Sequence, residues 1–86
     1  MSFEELTKIV NSLRSTLKRE SFSPYEMSKI VNESLSIDLP PQMFYNYVKK
    51  NMIVSTRDDR NKIVVSKDEV LRFVEKYSLR NLVTTS

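Results

Sequence analysis

The sequence contains no cysteine, histidine, glycine or tryptophan. Without cysteine the chain has no disulfide and no thiolate metal ligand. Without histidine it lacks the commonest general base and nitrogen ligand, and without glycine it lacks phosphate-cradling glycine loops. Carboxylates such as Glu26, Glu33 and Asp38 are scattered over predicted helix caps and solvated faces, not paired for acid–base chemistry. We therefore expect no enzyme activity and no cofactor, metal or small-molecule substrate.

Long apolar runs are absent too. No stretch approaches the roughly 20 apolar residues that cross a bilayer, and no signal-peptide core is evident. We therefore expect a cytoplasmic protein without membrane contact, associated with the nucleoid if it binds DNA. The 86 residues, 40% of them hydrophobic, suit one folded domain with a modest core.

The first 20 residues carry an apolar stripe that predicts an amphipathic helix. Ser2 followed by Glu5 is a capping-box pattern, which starts the helix near residue 3, and the stripe ends near residue 19. We favour packing of this stripe on the body of the domain, because the rest of the core is small. The alternative is a self-association seam, since the spacing also fits a short coiled coil. The stripe consists of Phe3, Leu6, Val10, Leu13 and Leu17, with Ile9 beside it.

Two shorter helices are predicted next, separated by a proline break. Ser23 and Glu26 form a second capping box around Pro24, which opens a helix that ends near residue 35. Residues 36–40 form the link, because a proline pair cannot continue a helix. The following helix covers residues 41–50, and Asn51 suits its end because asparagine tolerates the left-handed conformation.

A hairpin and a last helix complete the chain. Strands are predicted at residues 52–56 and 62–66, with a charged tip between them. A third capping box, Ser66 to Glu69, opens the last helix, which we expect to continue beyond residue 78. The fold class is therefore mainly α with a small β-hairpin, in the order helix, helix, helix, hairpin, helix. We divide the single domain, 1–86, into an N-terminal helix at 1–20, a central unit at 21–78 and a tail or helix extension at 79–86.

The helix at 41–50 has two contrasting faces. Phe44, Tyr47 and Val48 share an apolar face, while Gln42, Asn46 and Lys49 lie opposite. Between Leu39 and Arg57 the chain has three basic residues and no acidic one, although the net charge is only +3. Amide and amine side chains followed by a basic hairpin indicate a nucleic-acid-reading surface. The alternative is an ordinary solvated helix face.

The segments at residues 45–53 and 62–75 resemble the winged helix-turn-helix DNA-binding domains of the excisionase and MerR-like group. The resemblance spans about residues 23–77 and implies that helix 41–50 enters the major groove while the wing, 52–66, meets the backbone. Gln42, Tyr45, Asn46 and Lys49 match the exposed positions of its recognition helix. The cations expected at phosphates or the minor groove are Lys49, Lys50, Arg57, Arg60 and Lys62.

The resemblance implies a small sequence-specific protein that binds double-stranded DNA, as a transcriptional regulator or a recombination or architectural accessory factor. One such module offers a small interface, so we expect a homodimer or a cooperative array. The alternative is a winged-helix module that binds another protein and no DNA. Asp58 and Asp59 either pair with Arg57 and Arg60 or simply favour the turn at the hairpin tip.

Overall fold

The computed structural model describes the backbone of residues 2–84 and the side chains of residues 2–80. This part of the chain is mainly helical with a small antiparallel sheet, which confirms the predicted class and the order of helices and hairpin. A two-residue strand after the first helix was not predicted. The elements are α1 (Phe3–Thr16), β1 (Ser21–Phe22), α2 (Pro24–Leu35), α3 (Pro41–Lys49), β2 (Ser55–Arg57), β3 (Ile63–Ser66) and α4 (Lys67–Thr84).

The sheet has the strand order β1-β3-β2, so β3 lies between its two neighbours. Phe22 of β1 pairs with Val65 of β3, and both side chains are buried. Strand β2 begins three residues later than predicted because the chain after α3 first bonds back to the helix. The amides of Met52 and Ile53 both donate to the carbonyl of Tyr47, at 2.9 and 3.4 Å.

The core lies between the sheet and the apolar faces of the helices. α2 packs against α3, and α1 packs along α4. The fully buried side chains include Met27 and Val31 of α2, Phe44 of α3 and Val65 of β3. Burial of apolar surface of this kind is the main favourable term in folding. The predicted face of α4 also forms part of the core, and Leu71, expected at its edge, is buried.

The stripe of α1 is only partly buried. Leu6 and Val10 are buried, as packing on the body of the domain requires, but Phe3 is 68% exposed. The helix ends at Thr16, three residues earlier than predicted, and Leu17 is extended. The ammonium group of Lys67 donates to the carbonyl oxygens of Arg14 and Leu17, at 2.7 Å each. A lysine from α4 therefore satisfies carbonyls that the end of α1 leaves open.

The link between α2 and α3 is held by one side chain. The Asn32 amide nitrogen donates to the carbonyl of Leu39 at 3.0 Å, and its oxygen accepts from the amide of Leu39 at 2.8 Å. Ser36 ends α2 in the left-handed conformation, with φ 54°. These contacts place Pro41 at the start of α3, where its missing N–H leaves no bond unmade.

The three serine caps differ in completeness. Ser23 and Glu26 form the full reciprocal capping box at the start of α2. Ser2 accepts from the amide of Glu5, and Ser66 accepts from the amide of Glu69, both at 3.2 Å. These bonds satisfy amides that a helix start leaves open.

Within residues 2–84, no helix has the length and apolar character that spanning a membrane requires.

Candidate nucleic-acid interface

Helix α3 presents a continuous polar face to solvent. The side chains predicted to enter the major groove, Gln42, Tyr45, Asn46 and Lys49, are all exposed, and so is Lys50. Tyr45 is 36% exposed. The structure therefore brings together all the predicted contacts of this segment, four on the nine-residue helix α3 and Lys50 at its C-cap.

The opposite face of α3 anchors the helix in the core. Phe44 is fully buried and Val48 is nearly so. The rings of Phe44 and Phe73 are 5.0 Å apart, and those of Tyr47 and Phe73 are 6.0 Å apart. Tyr47 is half-buried, as expected for a core-facing residue. These contacts fix the rotation of α3 about its axis and so determine which side chains face outward.

Two amides on the exposed face of α3 contact each other. The side-chain nitrogen of Gln42 donates to the side-chain oxygen of Asn46 at 3.3 Å. Residues four apart on a helix are neighbours, so this contact keeps both amides on one strip of the surface. The sequence placed the two residues on one face, but only the structure shows that they contact each other.

The exit from α3 depends on a left-handed residue. Asn51 has φ 58°, as predicted, and its amide donates to the carbonyl of Val48 at 3.1 Å. Asparagine adopts this conformation more readily than other residues with a side chain beyond Cβ. The turn directs the chain from the helix into β2 within a few residues.

The hairpin tip is organised around Asp58. Its carboxylate accepts from the backbone amides of Arg60 and Lys62, at 2.9 Å each. The amide of Asp58 donates to the carbonyl of Lys62 at 3.0 Å, and Asn61 is left-handed with φ 61°. The interpretation that an acidic residue favours the turn is confirmed for Asp58, which forms no ion pair with either arginine.

The cations of the hairpin point to solvent. Arg57, Arg60 and Lys62 are all exposed. One guanidinium nitrogen of Arg57 donates to the carbonyl of Asn61 at 2.9 Å, which leaves its other N–H groups open. The side chains of Arg60 and Lys62 have no hydrogen-bond or ion-pair partner among the described residues. The positive groups of the hairpin tip are therefore available to an external ligand.

An apolar surface next to α3 was not predicted. Met52 and Val54 are 63% and 62% exposed, although Met52 was expected to fill the core or its boundary. Met52 lines a groove of about 170 Å³ together with Tyr47, Ile53, Phe73, Lys76, Tyr77 and Arg80.

No metal-binding cluster of acidic residues is found in the part of the chain that the structure describes. Comparisons with protein-family models, with curated proteins and with solved structures found no match for this chain. The resemblance to the excisionase and MerR-like group therefore stays a prediction from the residue pattern. The functional argument depends on the geometry of α3 and the hairpin.

Proposed function

We propose that this chain is a sequence-specific double-stranded DNA-binding protein with a winged helix-turn-helix fold. α2 and α3 form the helix-turn-helix, and the β2–β3 hairpin is the wing. The element order supports this assignment, because the hairpin directly follows the second of two helices joined by a link at residues 36–40. The role is that of a transcriptional regulator or of a recombination or architectural accessory factor.

The observation that carries the proposal is the outward face of α3. It offers Gln42, Tyr45, Asn46 and Lys49 side by side, with no carboxylate among them. A helix is about 10–12 Å across with its side chains, and the major groove is about 12 Å wide. The face therefore suits base edges, which present hydrogen-bond donors and acceptors in that groove.

The cations around this face supply affinity. Lys49 ends α3, Lys50 is its C-cap, and the three hairpin cations follow a few residues later. Phosphate contacts of this kind fix the position of a protein on the duplex without reading its sequence. The carboxylate of Asp58 is bound to backbone amides in the turn, so its charge is partly compensated there. The wing is therefore more favourable to phosphate than its sequence indicates.

Binding of a labelled mixed-sequence duplex, followed by fluorescence anisotropy at low salt, tests the proposal. The wild type should bind, and Lys49→Ala/Lys50→Ala should bind about tenfold more weakly because two phosphate contacts are lost. Lys8→Ala/Lys18→Ala removes the same charge from exposed positions on and after α1 and should bind like the wild type. An equal loss of duplex affinity in both double variants would show that only the net charge of the protein matters. That result would contradict the proposed interface.

A second candidate is a winged-helix module that binds another protein and no DNA. The exposed Met52 favours it, because it lines a groove next to α3, and exposed apolar surface at a groove is typical of protein-binding sites. The same anisotropy experiment separates the two functions. A protein-binding module without DNA affinity would leave the duplex free at low salt, and Lys49 and Lys50 would then have no effect.

A further inference from the structure

We infer that the contacting amides of Gln42 and Asn46 read adenine in the major groove. This inference rests on the proposed function and assigns one base preference to one pair of residues. Its basis is the hydrogen bond between the two side chains, which joins them into a single recognition unit on the exposed face of α3. We call these two residues the amide pair.

The amide pair keeps a defined set of free groups. Gln42 donates one N–H to the oxygen of Asn46. The carbonyl oxygen of Gln42 then remains open as an acceptor, and both N–H groups of Asn46 remain open as donors. If the two amides exchange roles, one oxygen and one NH₂ group still face outward. The pair therefore always presents an acceptor beside a donor.

Adenine is the base whose major-groove edge complements that arrangement. It offers the N7 acceptor next to the N6 amino donor, and asparagine or glutamine bonds both. Guanine presents two acceptors, N7 and O6, so the open oxygen of the pair would face another oxygen. Cytosine offers a donor and thymine an acceptor, so each leaves one group of the pair unsatisfied. An unsatisfied polar group in a closed interface lowers affinity.

The position of the amide pair on α3 fits base contact better than phosphate contact. Gln42 is the second residue of the helix, and Asn46 is one turn further on. In helix-turn-helix proteins the N-terminal residues of the recognition helix contact base edges. Lys49 and Lys50 lie at the other end of α3, where they meet the backbone. Base reading and phosphate binding thus occupy different ends of one helix.

Selection of bound duplexes from a random library, followed by sequencing, tests the inference. The wild type should enrich a site with a fixed adenine. Replacement of that adenine by 7-deazaadenine, which removes N7 alone, should weaken binding by about 5- to 150-fold. Gln42→Ala/Asn46→Ala should lose both the enrichment and the deaza effect while it still binds mixed duplex through its lysines. Asn11→Ala removes an exposed amide from α1 and should behave like the wild type.

The outcomes separate this inference from the proposed function. Binding without an enriched adenine, or an adenine preference that survives in Gln42→Ala/Asn46→Ala, would overturn the inference and leave DNA binding intact. Failure of the wild type to bind any duplex would overturn the proposed function, and the inference with it. Asn46→Asp adds a positive test, because a carboxylate accepts from the amino group of cytosine. That variant should therefore shift the preferred base at the adenine position toward cytosine.

Discussion

At the scale of single residues, the chain makes its left-handed turns without glycine. Ser36, Asn51 and Asn61 adopt positive φ values of 54°, 58° and 61°. Asparagine tolerates this region because its short amide bonds to nearby backbone, whereas serine gains less from it. Ser36 is therefore the most strained of the three, and it is held there by the bonds between Asn32 and Leu39 across the link.

Ser36→Gly should raise the free energy of unfolding by about 0.5–1 kcal/mol, because glycine has no Cβ to strain in the left-handed region. Urea unfolding followed by circular dichroism measures the change. The matched control is Ser15→Gly, an exposed position within α1, which should lower the free energy of unfolding by a similar amount. A loss of stability in both variants would show that Ser36 is not strained.

Glu26 should make stability depend on pH. The backbone amide of Ser23, followed by the Arg19 guanidinium, holds the pKa of Glu26 below its ordinary value of 4.5. A carboxyl whose pKa is lower in the folded state stabilises the fold at any pH above its ordinary pKa. That contribution disappears as the pH falls through the lowered, folded-state pKa, because the carboxyl is then protonated in both states.

Glu26→Gln should therefore be less stable than the wild type at pH 7, by a few tenths to about 1 kcal/mol, since Arg19 and Glu26 are partly exposed. The difference should shrink as the pH falls through the lowered, folded-state pKa. Urea unfolding at pH 7 and at a series of lower pH values measures it. Glu33→Gln is the matched control, because it removes a carboxylate from an exposed position of the same helix and leaves the Ser23 capping box intact. A difference that persists at the lowest pH would exclude the charge of Glu26 as its cause.

At the scale of elements, local signals predicted the helices and long-range contacts decided the rest. Three serine caps and the apolar stripes marked the four helices within a few residues. The sequence did not predict β1, because two residues are too few to show the alternation of a strand. The strand forms only by pairing with β3. The end of α1 was mispredicted for a similar reason. The hydrogen bonds from Lys67 to the carbonyls at that end span about 50 residues of sequence. Neither contact can be predicted from a short window of sequence.

Lys67→Met should loosen α1, because the last turn of that helix then loses a cation and two hydrogen bonds to its carbonyls. We expect a loss of about 1–2 kcal/mol in the free energy of unfolding. Hydrogen exchange should show the largest loss of protection in α1. Lys76→Met changes an exposed lysine of α4 and serves as the control. Equal loss of protection in all four helices would mean that Lys67 acts on the whole fold and not on α1.

The two aspartates of the hairpin tip should differ in effect. Asp58→Ala removes two acceptor contacts to backbone amides, so the Lys62 amide should exchange about 5- to 30-fold faster. Asp59→Ala removes the same charge from an exposed side chain and should leave exchange unchanged. If the wing contacts DNA, Asp59→Ala should bind a duplex at least as tightly as the wild type. Asp58→Ala should gain less duplex affinity than Asp59→Ala. Identical exchange in both variants would contradict the role of Asp58 in the turn.

At the scale of the whole molecule, the fold places a basic, amide-bearing surface on a helical support. α1 and α4 pack on each other, while α3 packs on α2 and faces outward on its other side. All eight residues predicted to contact DNA are exposed, because the period of the α3 helix and the turn signal at the tip were both readable in the sequence. The contact between the two amides and the apolar Met52 surface were not readable, because each depends on side-chain placement in the folded chain.

The salt dependence of duplex binding tests the central claim most directly. Five phosphate contacts from Lys49, Lys50 and the hairpin cations predict a slope of log K against log [salt] of about −4.5. Lys49→Ala/Lys50→Ala should reduce the slope to about −2.7, because three contacts remain, and Lys8→Ala/Lys18→Ala should leave it unchanged. A duplex that stays free at low salt, or a slope that loss of Lys49 and Lys50 does not alter, would contradict DNA binding through α3.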